Sequence, residues 1–132
     1  MSNSIVTLAK TAFKDFQQGL ATGEWEPFLE RLTDDFTFWF PVGSYQGENV
    51  GKAKAKEFFN YVSQTAFPQG LSVTINRITN SENTVVFELK SEGELFSHPY
   101  INQVAISFDF RGDHICGYRE YLGILYQIKP QA

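Results

Sequence analysis

The sequence predicts an α+β fold, a cone-shaped curved antiparallel sheet with three N-terminal-half helices packed on its concave face. Two observations carry this prediction. Apolar residues recur every three or four positions in the first half of the chain, whereas they alternate at every second position in the second half. Such segregation is typical of helices covering one face of an antiparallel sheet. The length of 132 residues suits one domain, and we expect a single domain over residues 1–132.

Three segments have helical periodicity. The first ends at Gly23 and carries the apolar residues Ile5, Leu8, Ala9, Ala12, Phe13, Phe16 and Leu20. A short second helix is predicted from Trp25 to Leu32, with Pro27 in its first turn, where a missing N–H costs nothing. The third is predicted over residues 52–62, and a Gly-bearing loop precedes it.

Strand alternation follows at residues 36–40, 71–75 and 85–89, with turns expected at Asp34-Asp35, residues 80–83 and residues 92–94. The chain then forms one long predicted hairpin over residues 100–123, broken at Gly112-Asp113. The apolar face of this hairpin is interrupted by Asn102 and Glu120. A carboxylate on an apolar face is a candidate reactive group.

The length of the hairpin loop decides which residues of the two arms face each other. A three-residue loop at residues 112–114 places Ile106 opposite Glu120 and Phe108 opposite Tyr118. Asn102, Tyr118 and Glu120 then share the concave face. A two-residue loop shifts the register by one and breaks this match.

Composition excludes several function classes. The net charge of −4 and the lack of a basic cluster argue against nucleic acid as a partner. No stretch approaches the apolar length of a membrane span and no secretory leader is evident, so we expect no membrane partner and a cytoplasmic location. A lone cysteine and two separated histidines lack the spacing of a metal site, and we expect no metal and no cofactor. Thirteen Phe residues indicate either a tightly packed core or an apolar cavity walled by rings.

Four segments resemble motifs of the nuclear transport factor 2-like, cystatin-like α+β fold, and more narrowly its SnoaL-like branch of polyketide cyclases and small pocket proteins. These segments are residues 23–25 with 32–36, residues 40–43 with Gly47, residues 100–102, and residues 112–123. The resemblance implies a cone with an internal pocket. It also implies a homodimer formed through the convex sheet face, on which Gln103, Ala105, Ser107, Arg119 and Tyr121 are expected.

The resemblance also allows the known chemistries of the family to be tested. Ketosteroid isomerases place a general-base Asp where this chain has Phe40, and their second, protonated Asp falls in residues 104–107, which contain no acid. Of the three catalytic positions of limonene epoxide hydrolases, one falls on Glu120 and the others on Phe87 and Leu89. Many SnoaL-like proteins also end the last motif in Asp, where this chain has Gly123. These replacements predict a more apolar and less reactive pocket.

We therefore expect a pocket protein that binds a small hydrophobic organic ligand and forms a homodimer. The expected ligand-binding residues are Phe40, Phe87, Asn102, Ile106, Phe108, Tyr118 and Leu122, and the candidate catalytic residue is Glu120. One alternative is a lyase, isomerase or cyclase that uses Glu120 as a lone acid/base. Another is a protein-interaction module with a filled cone. A structural role for Glu120, paired with Arg119, Arg77 or Lys90 on the surface, also stays open.

Overall fold

The computed structural model describes residues 3–123, and within them the chain forms three α-helices and a six-stranded sheet. The predicted domain range 1–132 extends past the described residues at both ends. The helices are α1 (Asn3–Thr22), α2 (Glu26–Leu29) and α3 (Lys52–Tyr61); the strands are β1 (Leu32–Phe40), β2 (Gly47–Val50), β3 (Leu71–Ser81), β4 (Thr84–Leu95), β5 (His98–Arg111) and β6 (His114–Leu122). A 3-10 turn, Gly43–Tyr45, joins β1 to β2, and a π-helical turn, Val62–Ala66, extends α3. No helix in this range is both long and apolar enough to span a bilayer.

The strands form one curved sheet in the order β2-β1-β6-β5-β4-β3, which confirms the predicted α+β class. The sheet is mixed, because β1 and β6 run parallel while the other neighbouring strands run antiparallel. The predicted sheet was wholly antiparallel because its strands were read as successive hairpins. The β1–β6 pair joins the first and last strands of the chain, and no tight turn fixes their direction.

Strand boundaries differ from the prediction where pairing overrides local turn signals. Asp34 and Asp35 lie inside β1, and residues 92–94 lie inside β4, where they pair with residues 99–101 of β5. The β4–β5 turn instead contains Phe96 and Ser97, whose φ angles are 49° and 71°. Strand β2, which the sequence pattern did not predict, pairs antiparallel with β1. An edge strand of four residues carries too little alternation to be detected.

The β5–β6 hairpin has the predicted register, but it reaches that register by a different route. Arg111 pairs with His114, so the loop has two residues and not three. The register then shifts between Asp109 and Phe110, where β6 accommodates Cys116 as an extra, bulged residue. Beyond this bulge Phe108 pairs with Tyr118 and Ile106 with Glu120, as predicted.

The narrow end of the fold is filled by aromatic rings from both layers. Phe13 of α1 stacks on Phe87 of β4 with ring centroids 4.4 Å apart, and Phe28 of α2 lies 5.8 Å from Phe108 of β5. Phe16 contacts Phe108 at 6.1 Å. All five rings are buried, and each aromatic pair adds roughly 0.5–1.5 kcal/mol beyond its area burial. This cluster closes one end of the curved sheet and leaves the other end open.

Candidate functional site

A cavity of about 370 Å³ lies between α3, the π-helical turn and the concave face of the sheet. Most of its wall is apolar. The helical side contributes Phe58, Phe59, Val62, Ala66 and Phe67, and the sheet contributes Leu71, Leu89, Val104, Ile106 and Leu122. The polar side chains on the sheet side are Ser91, Tyr100, Asn102, Tyr118 and Glu120. The cavity is thus an apolar chamber with a few polar groups grouped on one wall.

The structure places six of the expected site residues around this cavity. They are Phe40, Asn102, Ile106, Tyr118, Glu120 and Leu122. The expectation that Phe87 and Phe108 also line the pocket is wrong. Both are fully buried on the concave face, but the rings of α1 and α2 cover them, so they form the floor beneath the cavity.

Sequence reasoning missed the helical wall and Ser91. Phe58 and Phe59 are buried on α3 and line the cavity, but nothing in the sequence pattern separates a residue that fills the core from one that faces a cavity. Ser91 continues the inward alternation of Val85, Phe87 and Leu89 along β4. The predicted turn at residues 92–94 ended that strand too early, and extending the alternation by two residues would have found Ser91.

Glu120 faces the cavity with its carboxyl enclosed by protein. Its Oε1 accepts a hydrogen bond of 2.5 Å from the Tyr118 hydroxyl. Burial raises the pKa of Glu120 to about 7, and the hydrogen bond from Tyr118 lowers that pKa in part. Near neutral pH such a group is present in both protonation states, as a general acid or base requires.

The alternative role of Glu120 in a surface ion pair is contradicted. Arg119 pairs with Asp109 at 2.7 Å, Arg77 with Glu88 at 2.8 Å and Lys90 with Glu92 at 3.7 Å. Each of the three candidate partners is therefore engaged by another carboxylate. Within residues 3–123, the Glu120 carboxylate instead accepts a hydrogen bond from the Tyr118 hydroxyl.

Tyr118 supports Glu120 from a rigid position. Its ring lies 5.5 Å from Phe59 and 5.9 Å from Phe16, and the side chain is 2% exposed. Burial is the largest cause that raises the pKa of Tyr118 well above its ordinary value, and the nearby Glu120 charge is the second. The phenol therefore stays protonated and acts as a donor to the carboxyl group.

A second polar group lies where β4, β5 and the end of β6 meet. Asn102 donates from Nδ2 to the Tyr100 hydroxyl at 3.0 Å and to the Gly123 carbonyl at 3.4 Å. Its Oδ1 accepts from the backbone N–H of Gln103 at 2.9 Å. The amide of Asn102 is thus fully used within the protein, so it orients its neighbours.

Gly123 makes room for this amide. A Cβ atom added at this position would lie 2.7 Å from Oδ1 of Asn102, closer than a real side chain tolerates. The Asp that the resemblance to SnoaL-like proteins implies at this position is therefore incompatible with the observed placement of Asn102. Residues 3–123 contain no group of three or more His, Cys, Asp or Glu side chains placed to hold a metal ion.

The outer face of the sheet carries a different surface. Ile101 is 58% exposed and Tyr121 is 49% exposed, and the Tyr121 ring packs 5.2 Å from that of Trp39. Beside them, Arg119 binds both carboxylate oxygens of Asp109. This face is mixed in polarity, with apolar side chains next to an ion pair.

Comparison with known proteins agrees with this architecture. The SnoaL-like domain matches residues 13–118 of this chain. A crystal structure of an NTF2-like protein from Anabaena variabilis is 54% identical, with a TM-score of 0.88 over 93% of this chain and 92% of that one.

Two further structures share the fold at lower identity. An LEH-like epoxide hydrolase from M. tuberculosis is 19% identical, with a TM-score of 0.69 over 89% of this chain and 84% of the other. A proposed SnoaL-like polyketide cyclase from Jannaschia sp. CCS1 is also 19% identical, with a TM-score of 0.74 over 89% and 85% of the two chains. No curated protein gives a significant match. The family match over most of the chain, with the 54% identical NTF2-like structure, shows that this protein belongs to the SnoaL-like domain family.

Proposed function

We propose that this protein binds a small, hydrophobic organic molecule in the cavity between α3 and the sheet. The observation that carries the proposal is an apolar chamber of about 370 Å³ with polar groups on one wall. Pockets that enclose small organic ligands span roughly 300–1,000 Å³ and combine an apolar lining with few polar groups. The open chamber argues against the alternative of an interaction module with a filled cone.

Acid/base catalysis on the bound molecule is the second candidate function. It is favoured by Glu120, whose carboxyl faces the chamber with a pKa of about 7 and a hydrogen bond from Tyr118. A protonated Glu120 would donate to a leaving or carbonyl oxygen, and an ionised one would accept a proton from carbon or water. The names of the relatives, an epoxide hydrolase and a proposed polyketide cyclase, agree with chemistry on small organic molecules.

Native mass spectrometry on gently purified protein tests the binding function. We expect the wild-type protein to carry a reproducible small-molecule mass. Leu122→Trp, which inserts a large ring into the chamber, should lose this mass. Tyr121→Trp is the matched control, because the neighbouring side chain points to the outer face, and this variant should keep it. A mass that survives in Leu122→Trp would place the ligand elsewhere and contradict the proposal.

The catalytic candidate is tested on the ligand identified in this way. Turnover should depend on a group with a pKa near 7, and Glu120→Gln should abolish it while binding persists. Glu57→Gln, which removes an exposed carboxylate on α3, serves as the control. Turnover that persists in Glu120→Gln without pH dependence would rule out Glu120 as the acid/base.

Homodimer formation through the outer face is part of the same proposal. Ile101 and Tyr121 expose apolar surface there, next to the ion pair between Arg119 and Asp109. Apolar side chains surrounded by polar groups suit a protein interface better than bulk water.

The expected cytoplasmic location also stays a prediction, and cell fractionation with an antibody tests it.

A further inference from the structure

The turn between β4 and β5 has a strained backbone at Phe96. Leu95 pairs with His98, so the loop consists of Phe96 and Ser97, and both have positive φ angles, 49° and 71°. Two-residue hairpin loops with positive φ at both positions favour glycine, asparagine or aspartate, because other side chains crowd the backbone there. A bulky phenylalanine at positive φ is an outlier that the turn itself does not favour.

The ring of Phe96 does little to offset this strain by packing. It is 53% exposed and lies outside the buried core. The backbone N–H of Phe96 donates to the carbonyl oxygen of Ala66 at 2.9 Å, so the turn is held against the π-helical turn while the ring stays in contact with solvent. A residue that is unfavourable in both its backbone and its exposure points to a role in function.

Phe96 lies at the mouth of the cavity together with two other exposed apolar side chains. Val42 is 52% exposed and Tyr61 is 37% exposed, and all three residues line the cavity. They come from separate segments: Val42 follows β1, Tyr61 ends α3, and Phe96 lies in the β4–β5 turn. We call Val42, Tyr61 and Phe96 the rim. The rim continues the apolar wall of the chamber outward to the surface.

The chemistry of the rim favours an apolar occupant. Among the described residues that line the cavity, Glu120 is the charged one, and its carboxyl is enclosed inside the chamber. A ligand with its polar end toward Glu120 therefore presents its apolar end to the rim. Contact with that apolar end removes the rings of Phe96 and Tyr61 from water, which is favourable in proportion to the apolar area buried.

We propose that the rim is an outer subsite that binds the apolar end of an elongated hydrophobic ligand, one that fills the chamber and extends through its mouth. Phe96 is the specificity-determining residue of this subsite. The inference rests on the proposed binding function and names the class of ligand. A compact molecule that fits inside the chamber does not reach the rim and gains nothing from it.

Two fluorescent phenols of similar size test the inference on the full-length protein. Para-hydroxyterphenyl is a rigid rod that cannot fold inside the chamber, whereas hydroxypyrene is compact. Phe96→Asn removes the ring and suits the turn, because asparagine adopts positive φ at little cost. Val42→Asn changes a second part of the rim. Val50→Asn is the control, because Val50 is 67% exposed on β2 and does not line the cavity.

Fluorescence titration should separate the two phenols. Phe96→Asn should bind the rod roughly 5- to 20-fold more weakly, the effect of losing one aromatic contact and its buried area. Val42→Asn should bind the rod roughly 3- to 10-fold more weakly. Both variants should bind hydroxypyrene as the wild type does, and Val50→Asn should change neither affinity. The melting temperature of Phe96→Asn should rise although its affinity for the rod falls.

Three binding results would overturn the inference. If the rod keeps its affinity in both rim variants, the outer subsite is wrong, while the binding function stands. If both phenols lose affinity equally, the substitutions have changed the shape of the chamber, and the rim has no specific role. If neither phenol binds the wild-type protein, the proposed binding function itself fails, and the subsite fails with it.

Two further measurements test the argument from strain and exposure. A lower melting temperature in Phe96→Asn would show that the ring stabilises the fold, so its position would need no ligand to explain it. Sedimentation velocity should give Phe96→Asn the same mass as the wild type. A smaller mass would show that the rim is a contact between copies of the chain, and the outer subsite would be wrong.

Discussion

The hydroxyl of Tyr118 donates a 2.5 Å hydrogen bond to Oε1 of Glu120, two residues further along the same strand. Residues two apart on a strand point to the same face, so one strand supplies both the candidate acid/base and its donor. The Tyr118 ring is held by phenylalanines of α1, α3 and β5. The packed aromatic end of the fold therefore fixes the position of the Tyr118 hydroxyl beside Glu120 at the open end.

The buried carboxyl of Glu120 should make stability depend on pH. The pKa of Glu120 is about 7 in the folded protein against an ordinary value of 4.5, so the folded state favours the protonated form. The stability that this protonated form contributes is fully present below pH 4.5 and is lost as pH rises through 7. The loss amounts to about 3 kcal/mol above pH 7. Urea unfolding of the wild type and of Glu120→Gln, at pH values from 4.5 to 7, measures the difference in their free energies of unfolding.

The difference between the two unfolding curves should change steadily from pH 4.5 to 7 and then level off. Glu94→Gln, a change at an exposed carboxylate on β4, is the control and should leave the pH dependence of the wild type unaltered. A constant difference between wild type and Glu120→Gln would show that the folded and unfolded pKa values are alike.

Tyr118→Phe should raise the pKa of Glu120 above 7. The hydrogen bond from Tyr118 favours the ionised carboxylate, and burial, which raises the pKa, remains when the hydroxyl is removed. Carbon-13 NMR titration of labelled glutamate carboxyls measures this change. Tyr45→Phe is a matched control, because its hydroxyl bonds to Glu57 at 2.7 Å. A Glu120 pKa that stays the same or falls in Tyr118→Phe would contradict the geometry.

Gly19→Ala should destabilise the protein although alanine favours helices. A Cβ atom at Gly19 would lie 2.2 Å from Cε3 of Trp25, which is 3% exposed and bonded to Ser63 at 2.9 Å. Overpacking of this kind costs roughly 1–3 kcal/mol, which outweighs the helix-propensity gain of ~1 kcal/mol. Thermal unfolding measures the effect, with Thr11→Ala on the exposed side of α1 as the control. An equal or higher melting temperature in Gly19→Ala would mean that Trp25 moves freely.

Replacing both Ile101 and Tyr121 with lysine should convert the proposed dimer to a monomer. The two substitutions place positive charges on the exposed apolar part of the outer face. Sedimentation velocity measures the mass in solution. Val42→Lys is the control, because Val42 is 52% exposed but lies at the cavity mouth. A dimer that survives the double substitution would place the interface elsewhere. A wild-type protein that is monomeric would exclude the dimer.

Local sequence patterns were sufficient to predict which face of a strand each residue occupies where burial follows a simple period. The alternation along residues 100–122 predicted that Asn102, Tyr118 and Glu120 share one face, and the structure agrees. The register was right although the assumed loop was wrong, because the bulge at Cys116 restores the shift that a two-residue loop introduces. An apolar face that must stay buried specifies register more strongly than a turn does.

The sequence by itself determined the α+β class and the inward, mostly apolar face of the hairpin, because these follow from the periodicity of side chains along each element. Tertiary structure decided the parallel β1–β6 pair and the division between core and cavity. Phe87 and Ile106 have the same pattern and pair across β4 and β5, yet the Phe13 ring of α1 covers Phe87 while Ile106 lines the cavity. That difference depends on which strands and helices meet around each residue, and no local period encodes that meeting.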